Sequence, residues 1–192
     1  MSSPHQGRLK LLLIAAMFFA PVVAAFTVFF YFPQWIPGRV NSGTLVSPAR
    51  AAPPLGLVDI EGAPAPTALQ GKWSLLYLAG TACEDRCRAQ LILTRQVRTA
   101  LNQNRPRVQR VYVAPTRAAL ASARAQLAAE HPDLVFVAQT GTAATEFFQP
   151  ADPQAIYLLD PLGNWLMVYT GSIEPKGLHR DLKKLLRVSQ VG

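Results

Sequence analysis

Residues Leu11 to Phe32 form an uncharged, almost wholly apolar run of 22 residues, with Thr27 the main polar interruption. A membrane-spanning helix needs about 20 such residues. Arg8 and Lys10 stand just before the run, after a short polar start. Positive charge on the short side predicts that residues 1–10 stay in the cytoplasm and that the remainder lies across the membrane. The competing reading is a cleaved export signal. Its apolar core is usually about 7–15 residues and ends at small residues. Here Ala24 and Ala25 are followed by Phe26 and more apolar chain, and Tyr31 and Trp35 suit an interfacial position. The expectation is therefore a single helix over 11–32 in the inner (cytoplasmic) membrane. Its carboxyl-terminal domain is expected on the periplasmic or extracytoplasmic side. Pro21 is tolerated in such a helix as a kink.

The chain as a whole is too apolar and too weakly charged for a disordered protein: half of its residues are hydrophobic and 16% are charged. Two cysteines exclude a multi-disulfide scaffold and a four-cysteine zinc site, and three separated histidines leave little for a metal cage. Without Arg8 and Lys10 the net charge of +8 falls to +6 for residues 33–192. Seven arginines crowd one stretch: Arg86, Arg88, Arg95, Arg98, Arg105, Arg107 and Arg110. They read as a solvated helix face, or as a docking surface for an acidic partner or anionic lipid. An exported domain argues against nucleic acid as the partner.

Prolines and glycines over residues 33–54 predict a stalk, and the folded domain is expected over 55–192. Leu55 to Ile60 reads as a short strand, and 62–71 as a loop. Trp73–Leu78 is a buried strand, Cys83 to about Asn104 a helix, and Val108–Ala114 a second strand. Thr116–Glu130 reads as a helix, Leu134–Ala138 as a strand, and Thr140–Phe148 as a loop entering a short helix. Ile156–Leu159 and Trp165–Tyr169 form a hairpin about Asp160-Pro161-Leu162-Gly163, and Pro175–Val188 a last helix. Strands alternating with helices, closed by an antiparallel hairpin, imply a thioredoxin-like α/β sandwich.

Cys83-Glu84-Asp85-Arg86-Cys87 falls between the first regular strand and its helix. A cysteine at a helix amino end meets the positive end of the helix dipole, which favours thiolate. Cys87 is one turn on, with Cα atoms expected about 6 Å apart, inside the range of a disulfide. The pair can close, and it can present two sulfurs to one soft metal ion. The alternative is a plain structural disulfide. Its small loop would give little entropic stabilisation.

Leu76 to Leu91, the strand with Cys-x3-Cys and its helix, resembles the Sco/SenC family. Those are membrane-anchored thioredoxin-like proteins of cytochrome c oxidase assembly. Gly71-Lys72-Trp73, Thr140-Gly141-Thr142 and Ile156 to Gly163 resemble further blocks of it, over about residues 55–188. The resemblance implies a respiratory oxidase subunit or assembly factor as partner, and copper held by both cysteines and a histidine before the strand at Ile156. This chain departs from that pattern. Arg88 stands where the family has proline after the second cysteine, Asp152 stands at the histidine position, and the segment from Thr142 to Pro150 is short. His131 and His179 read as surface residues. Copper(I) on the two thiolates of Cys83 and Cys87 is the metal chemistry left open. Pro153 stands near the place where thioredoxin-like folds often carry a cis-proline.

Three functions follow. The first is a Sco-like assistant of oxidase assembly, acting by thiol–disulfide exchange or by docking, with Cys83 attacking and Cys87 resolving. The second is a general envelope thiol–disulfide oxidoreductase. The third is a non-enzymatic module in which Cys83–Cys87 is structural and an arginine face binds the partner.

Overall fold

The computed structural model describes residues 4–32, 41–150 and 152–189. The chain divides into two units, before and after Asn41. The first is helix α1, Pro4–Tyr31, with Pro21 inside it. Within it Gly7–Tyr31 is long and apolar enough to cross a membrane, with a mean hydropathy of 2.5. Its side chains are exposed on all sides, as a helix apolar all round requires if lipid is to cover it. The hydroxyl of Thr27 donates to the carbonyl of Val23 at 2.8 Å, so the polar side chain is satisfied within the helix itself.

The second unit is a seven-stranded sheet with helices on both faces. Its strands are β1 (Thr44–Ala51), β2 (Leu57–Val58), β3 (Trp73–Leu78), β4 (Val108–Ala114), β5 (Leu134–Gln139), β6 (Ile156–Leu159) and β7 (Asn164–Tyr169). They lie in the order β1-β7-β6-β3-β4-β5-β2. β3, β4 and β5 run parallel, and β6, β7 and the two edge strands pair antiparallel with their neighbours. The central strands are apolar runs because both of their faces are covered. Three helices, α2 (Asp85–Ala100), α3 (Arg117–Leu127) and α5 (Pro175–Val188), pack on one face through Leu91, Leu120, Leu127, Leu178 and Leu182. Helix α4 (Ala143–Phe148) and the segment around Leu55–Leu69 cover the other. There Phe148 and Tyr157 each meet Trp165 edge to face and lie tilted against one another, and Arg50 of β1 lies over Trp165 at 5.6 Å. The mixed α/β thioredoxin-like sandwich expected from the strand–helix alternation is the fold found.

Several expectations are corrected. Residues 33–40 of the expected stalk lie outside the described residues, but its later part is no stalk: Thr44–Ala51 is an edge strand on β7. Its register shifts between Leu45 and Arg50, a bulge around Pro48. Helix α2 begins at Asp85 rather than Cys83. It stops at Ala100, where Leu101 and the left-handed Asn102 (φ 51°) lead into a 3-10 turn over Asn102–Arg107 that accommodates Pro106. Helix α3 ends at Leu127, three residues early, because the chain turns in to bury His131. The described cis peptide bond is Ser47-Pro48; the isomer before Pro153, which the sequence leaves open, is not cis.

Candidate redox site

In register, Tyr169, Ile156, Tyr77, Tyr112 and Phe136 stand side by side across five strands. The carboxyl ends of β3, β4, β5 and β7 and the start of β6 therefore share one edge of the sheet. The loops of that edge carry the cysteine motif, Thr116, Thr140, Asp152 and Gly171. The tyrosines beneath are buried with both cysteines in one apolar cluster. Burial pushes the phenols of Tyr77 and Tyr112 up, that of Tyr112 to about 12, so this floor is uncharged at neutral pH.

Cys83 and Cys87 are joined as a disulfide with Cα atoms 5.2 Å apart. Glu84 is the N-cap in extended conformation and makes no side-chain cap, so Cys83 precedes the cap and Cys87 is the third helical residue. The first intrahelical bond runs from the amide of Arg88 to the carbonyl of Glu84 at 3.0 Å. The amides of Asp85, Arg86 and Cys87 thus have no carbonyl of their own helix, which leaves hydrogen-bond donors beside the sulfurs. Cys83 is 9% exposed and Cys87 5%, while Thr81, Ala82, Glu84, Asp85 and Arg86 around them are open. The bridge is shielded from the helix side and approachable from the loop.

Beside it lies a groove of about 460 Å³ between Arg86 and Gln90 of α2 and Gln154, Gly171 and Ser172 of the facing loops. Gln90 is 6% exposed, and its Oε1 has no partner among the described residues. In the sequence Gln90 is marked only as a polar residue on the buried face of α2 that also carries Cys87, Leu91 and Thr94. Asp152, expected at the place of a metal-binding histidine, has another task. Its Oδ1 accepts from the amide of Gln154 at 2.8 Å and its Oδ2 from the amide of Gly171 at 2.6 Å, which ties two loops of this edge together. Tyr157 is raised to about 12 by burial and then by that carboxylate.

The remaining sequence candidates lie elsewhere. His131 precedes β5 and so stands at the opposite end of the parallel strands from the cysteines. It is not a surface residue but 1% exposed. His179 bonds through Nε2 to the carbonyl of Ala100, at the far end of α2 from Cys87. The arginine-rich stretch is not one solvated face. Arg110 is 1% exposed and meets Asp133 at 3.0 Å, Thr94 at 3.1 Å and the carbonyl of Leu91 at 2.7 Å. Arg98 also turns inward, to Asp133 at 3.0 Å.

The residues do not fit the three-donor copper site implied by the family resemblance. Two sulfurs are in place, Asp152 accepts from two backbone amides, and the two histidines of the sheet domain, His131 and His179, lie away from the cysteine edge. Among the described residues no cluster of three or more His, Cys, Asp or Glu side chains forms a metal cage.

Residues 73–189 match the family model of the transmembrane-like, thioredoxin-like, C-terminal domain. No curated protein matches the sequence. Among solved structures, Arabidopsis thaliana ScoI with copper bound superposes with a TM-score of 0.58 at 18% identity, covering 72% of this chain and 99% of that one. BsSco, described as a Sco-family cytochrome c oxidase assembly protein with a disulfide switch, gives 0.54 at 16%, covering 73% and 96%. The MTB dsbF structure, in mixed oxidised and reduced forms, gives 0.52 at 20%, covering 71% and 98%. At these identities the likeness is one of fold.

Proposed function

The chain belongs to the transmembrane-like, thioredoxin-like C-terminal domain family, and on that premise we propose that it is a membrane-anchored thiol–disulfide protein assisting respiratory oxidase assembly. The observation that carries the redox reading is the Cys83–Cys87 bridge at the start of α2, at the loop edge of the sheet, with Cys83 the slightly less buried of the two residues. A thiolate of the partner attacks Sγ of Cys83, a mixed disulfide forms and the Cys87 thiolate leaves. The partner's second thiolate then attacks its own sulfur in the mixed disulfide and releases Cys83. One S–S bond breaks as another forms, two electrons pass to Cys83 and Cys87, and two protons follow. In the reverse direction Cys83 attacks and Cys87 resolves. The free amides of Asp85, Arg86 and Cys87 stabilise the anionic sulfur during either step. The assignment to oxidase assembly is supported by the Sco-like fold and by the sequence blocks around the motif.

Full-length protein carrying Cys87→Ser tests the reading, because the mixed disulfide on Cys83 can no longer be resolved. The expected adduct in membranes is an oxidase subunit or assembly factor, recovered under non-reducing conditions and released by reductant. Adducts confined to apocytochromes or unrelated exported proteins would support the general oxidoreductase, the reading favoured by the dsbF likeness. A Cys83–Cys87 bridge that resists mild reductant, with no adduct formed, would leave a structural disulfide in an interaction module.

A further inference from the structure

Helix α5 carries five cations at one helical spacing: Lys176, Arg180, Lys183, Lys184 and Arg187. At 3.6 residues per turn they fall within an arc of about 100°. The opposite side of the helix is the buried row Leu178, Leu182 and Leu186, with Asp181 buried beside it. All five cations are exposed. The ion pairs among the described residues involve Arg95, Arg98 and Arg110 and none of the five. The helix's own acid, Asp181, is 2% exposed and faces inward, so the outer face is positive without interruption.

Asp181 also fixes where the chain from the amino-terminal helix enters the domain. Its Oδ2 accepts from the amides of Ser42 and Gly43 at 2.8 and 3.2 Å and from the hydroxyl of Tyr169 at 3.1 Å. The entry point is thus hydrogen-bonded to the helix that bears the basic face. From Phe32 to Ser42 the chain has ten peptide steps, a span of at most about 35 Å.

We propose that the outer face of α5 is a docking surface for the anionic phospholipid headgroups of the membrane that holds α1. Charge complementarity identifies the surface, and the short connection made at the same helix keeps the domain near headgroups. The apolar side of α5 is already used in the core, so the helix lies on the lipid through its charges and does not insert. Each basic residue near an anionic surface strengthens such contact about fivefold, and the attraction fades within a Debye length of about 8 Å at physiological salt. An acidic protein partner would use the same charges, but no comparable feature of the chain brings one to this helix. The proposal depends on the anchor and not on cysteine chemistry.

The test uses the full chain in nanodiscs of phosphatidylcholine alone or with about one third phosphatidylglycerol, with acetylation rates read at each lysine by mass spectrometry. Lys176, Lys183 and Lys184 are expected to react about fivefold or more slowly in the anionic discs and to recover in high salt. Lys72, exposed just before β3 and not part of this helix face, is expected to react alike in both. The double substitution Lys183→Glu, Lys184→Glu, on an exposed face, is expected to abolish the protection of Lys176. Equal rates in the two lipids, equal protection of Lys72, or protection of Lys176 that survives the double substitution would overturn the proposal. So would soluble polyglutamate shielding the three lysines in neutral discs as well as the anionic lipid does, which would assign the face to an acidic polypeptide. A chain that enters neither disc would remove the anchor on which the argument depends, whatever the cysteines do.

Discussion

His131 and Asp133 bring a pH response into the core beneath the arginine-rich stretch. Burial, and then the positive charges of Arg110 and Arg95, hold the His131 imidazole below its ordinary value. The unfolded chain takes up a proton near pH 6.5 that the folded one refuses, so stability is full above that pH and declines as pH falls through it, by up to about 1.4 kcal/mol per unit. Denaturant melts between pH 7 and 5 are expected to show that slope, and His131→Asn to flatten it. Asp133 acts lower on the scale. Burial opposes its charge, but Arg110 and Arg98 outweigh it and hold the carboxyl below the usual range. Its contribution is present above the unfolded value near 3.8 and is lost as pH falls further. Asp133→Asn leaves the Arg110 guanidinium, 1% exposed, without its counter-charge and is expected to cost on the order of 3 kcal/mol in chemical denaturation at pH 7. Neither residue's role was legible in the sequence. A histidine and proline after a helix read as surface, and Arg110 sits in a strand whose partner carboxylate is 23 residues away, set by β4–β5 register rather than local pattern. The cysteines were legible because their spacing and their place after a strand are local. Alkylation of the reduced protein is expected to modify Cys83 faster than Cys87, in line with its greater exposure; faster reaction at Cys87 would exchange their roles. Copper titration of the same reduced sample is expected to show weak binding of copper(I) and poor binding of copper(II), which favours nitrogen or oxygen beside sulfur.

Helix α5 and the central strands were read to within a residue or two because apolar periodicity declares them. Strand β1 was not. Thr44–Ala51 is exposed along most of its length and contains Pro48, so its own residues carry no alternation. What makes it a strand is the open edge of β7 together with the Asp181 carboxylate, which holds the amides of Ser42 and Gly43 just before it from across the chain. Asp181→Ala removes three hydrogen bonds to a charged acceptor, each worth about 1.5–3 kcal/mol, though the freed groups recover part of that from water. A loss on the order of 3 kcal/mol is expected. Amide exchange should accelerate first at Ser42–Val46 while β3 and β4 stay protected; uniform acceleration over the whole sheet would show that the clasp is not local. The start of α2 was misplaced for a related reason. Its cap is Glu84, which makes no side-chain bond, so the sequence held no capping signal between Cys83 and Asp85.

At the scale of the whole molecule the arrangement to test is the side of the membrane. Arg8 and Lys10 before α1 lead us to propose that the sheet domain lies outside the cytoplasm. Alkaline phosphatase joined after Gly192 is expected to be active and a cytoplasm-only fluorescent reporter dark; the converse would reverse the topology and remove the oxidising compartment from the argument. Strand β1 also bears on how the protein can be handled. A secreted or purified fragment cut at Leu55, where the domain was first expected to begin, would lose the strand that covers β7 and leave a row of unpaired backbone donors and acceptors. Such an edge recruits other chains. That fragment should form soluble oligomers or precipitate in light scattering, whereas one cut at Asn41 keeps its edge strand, with the bulge at Pro48 discouraging further pairing, and should remain monodisperse.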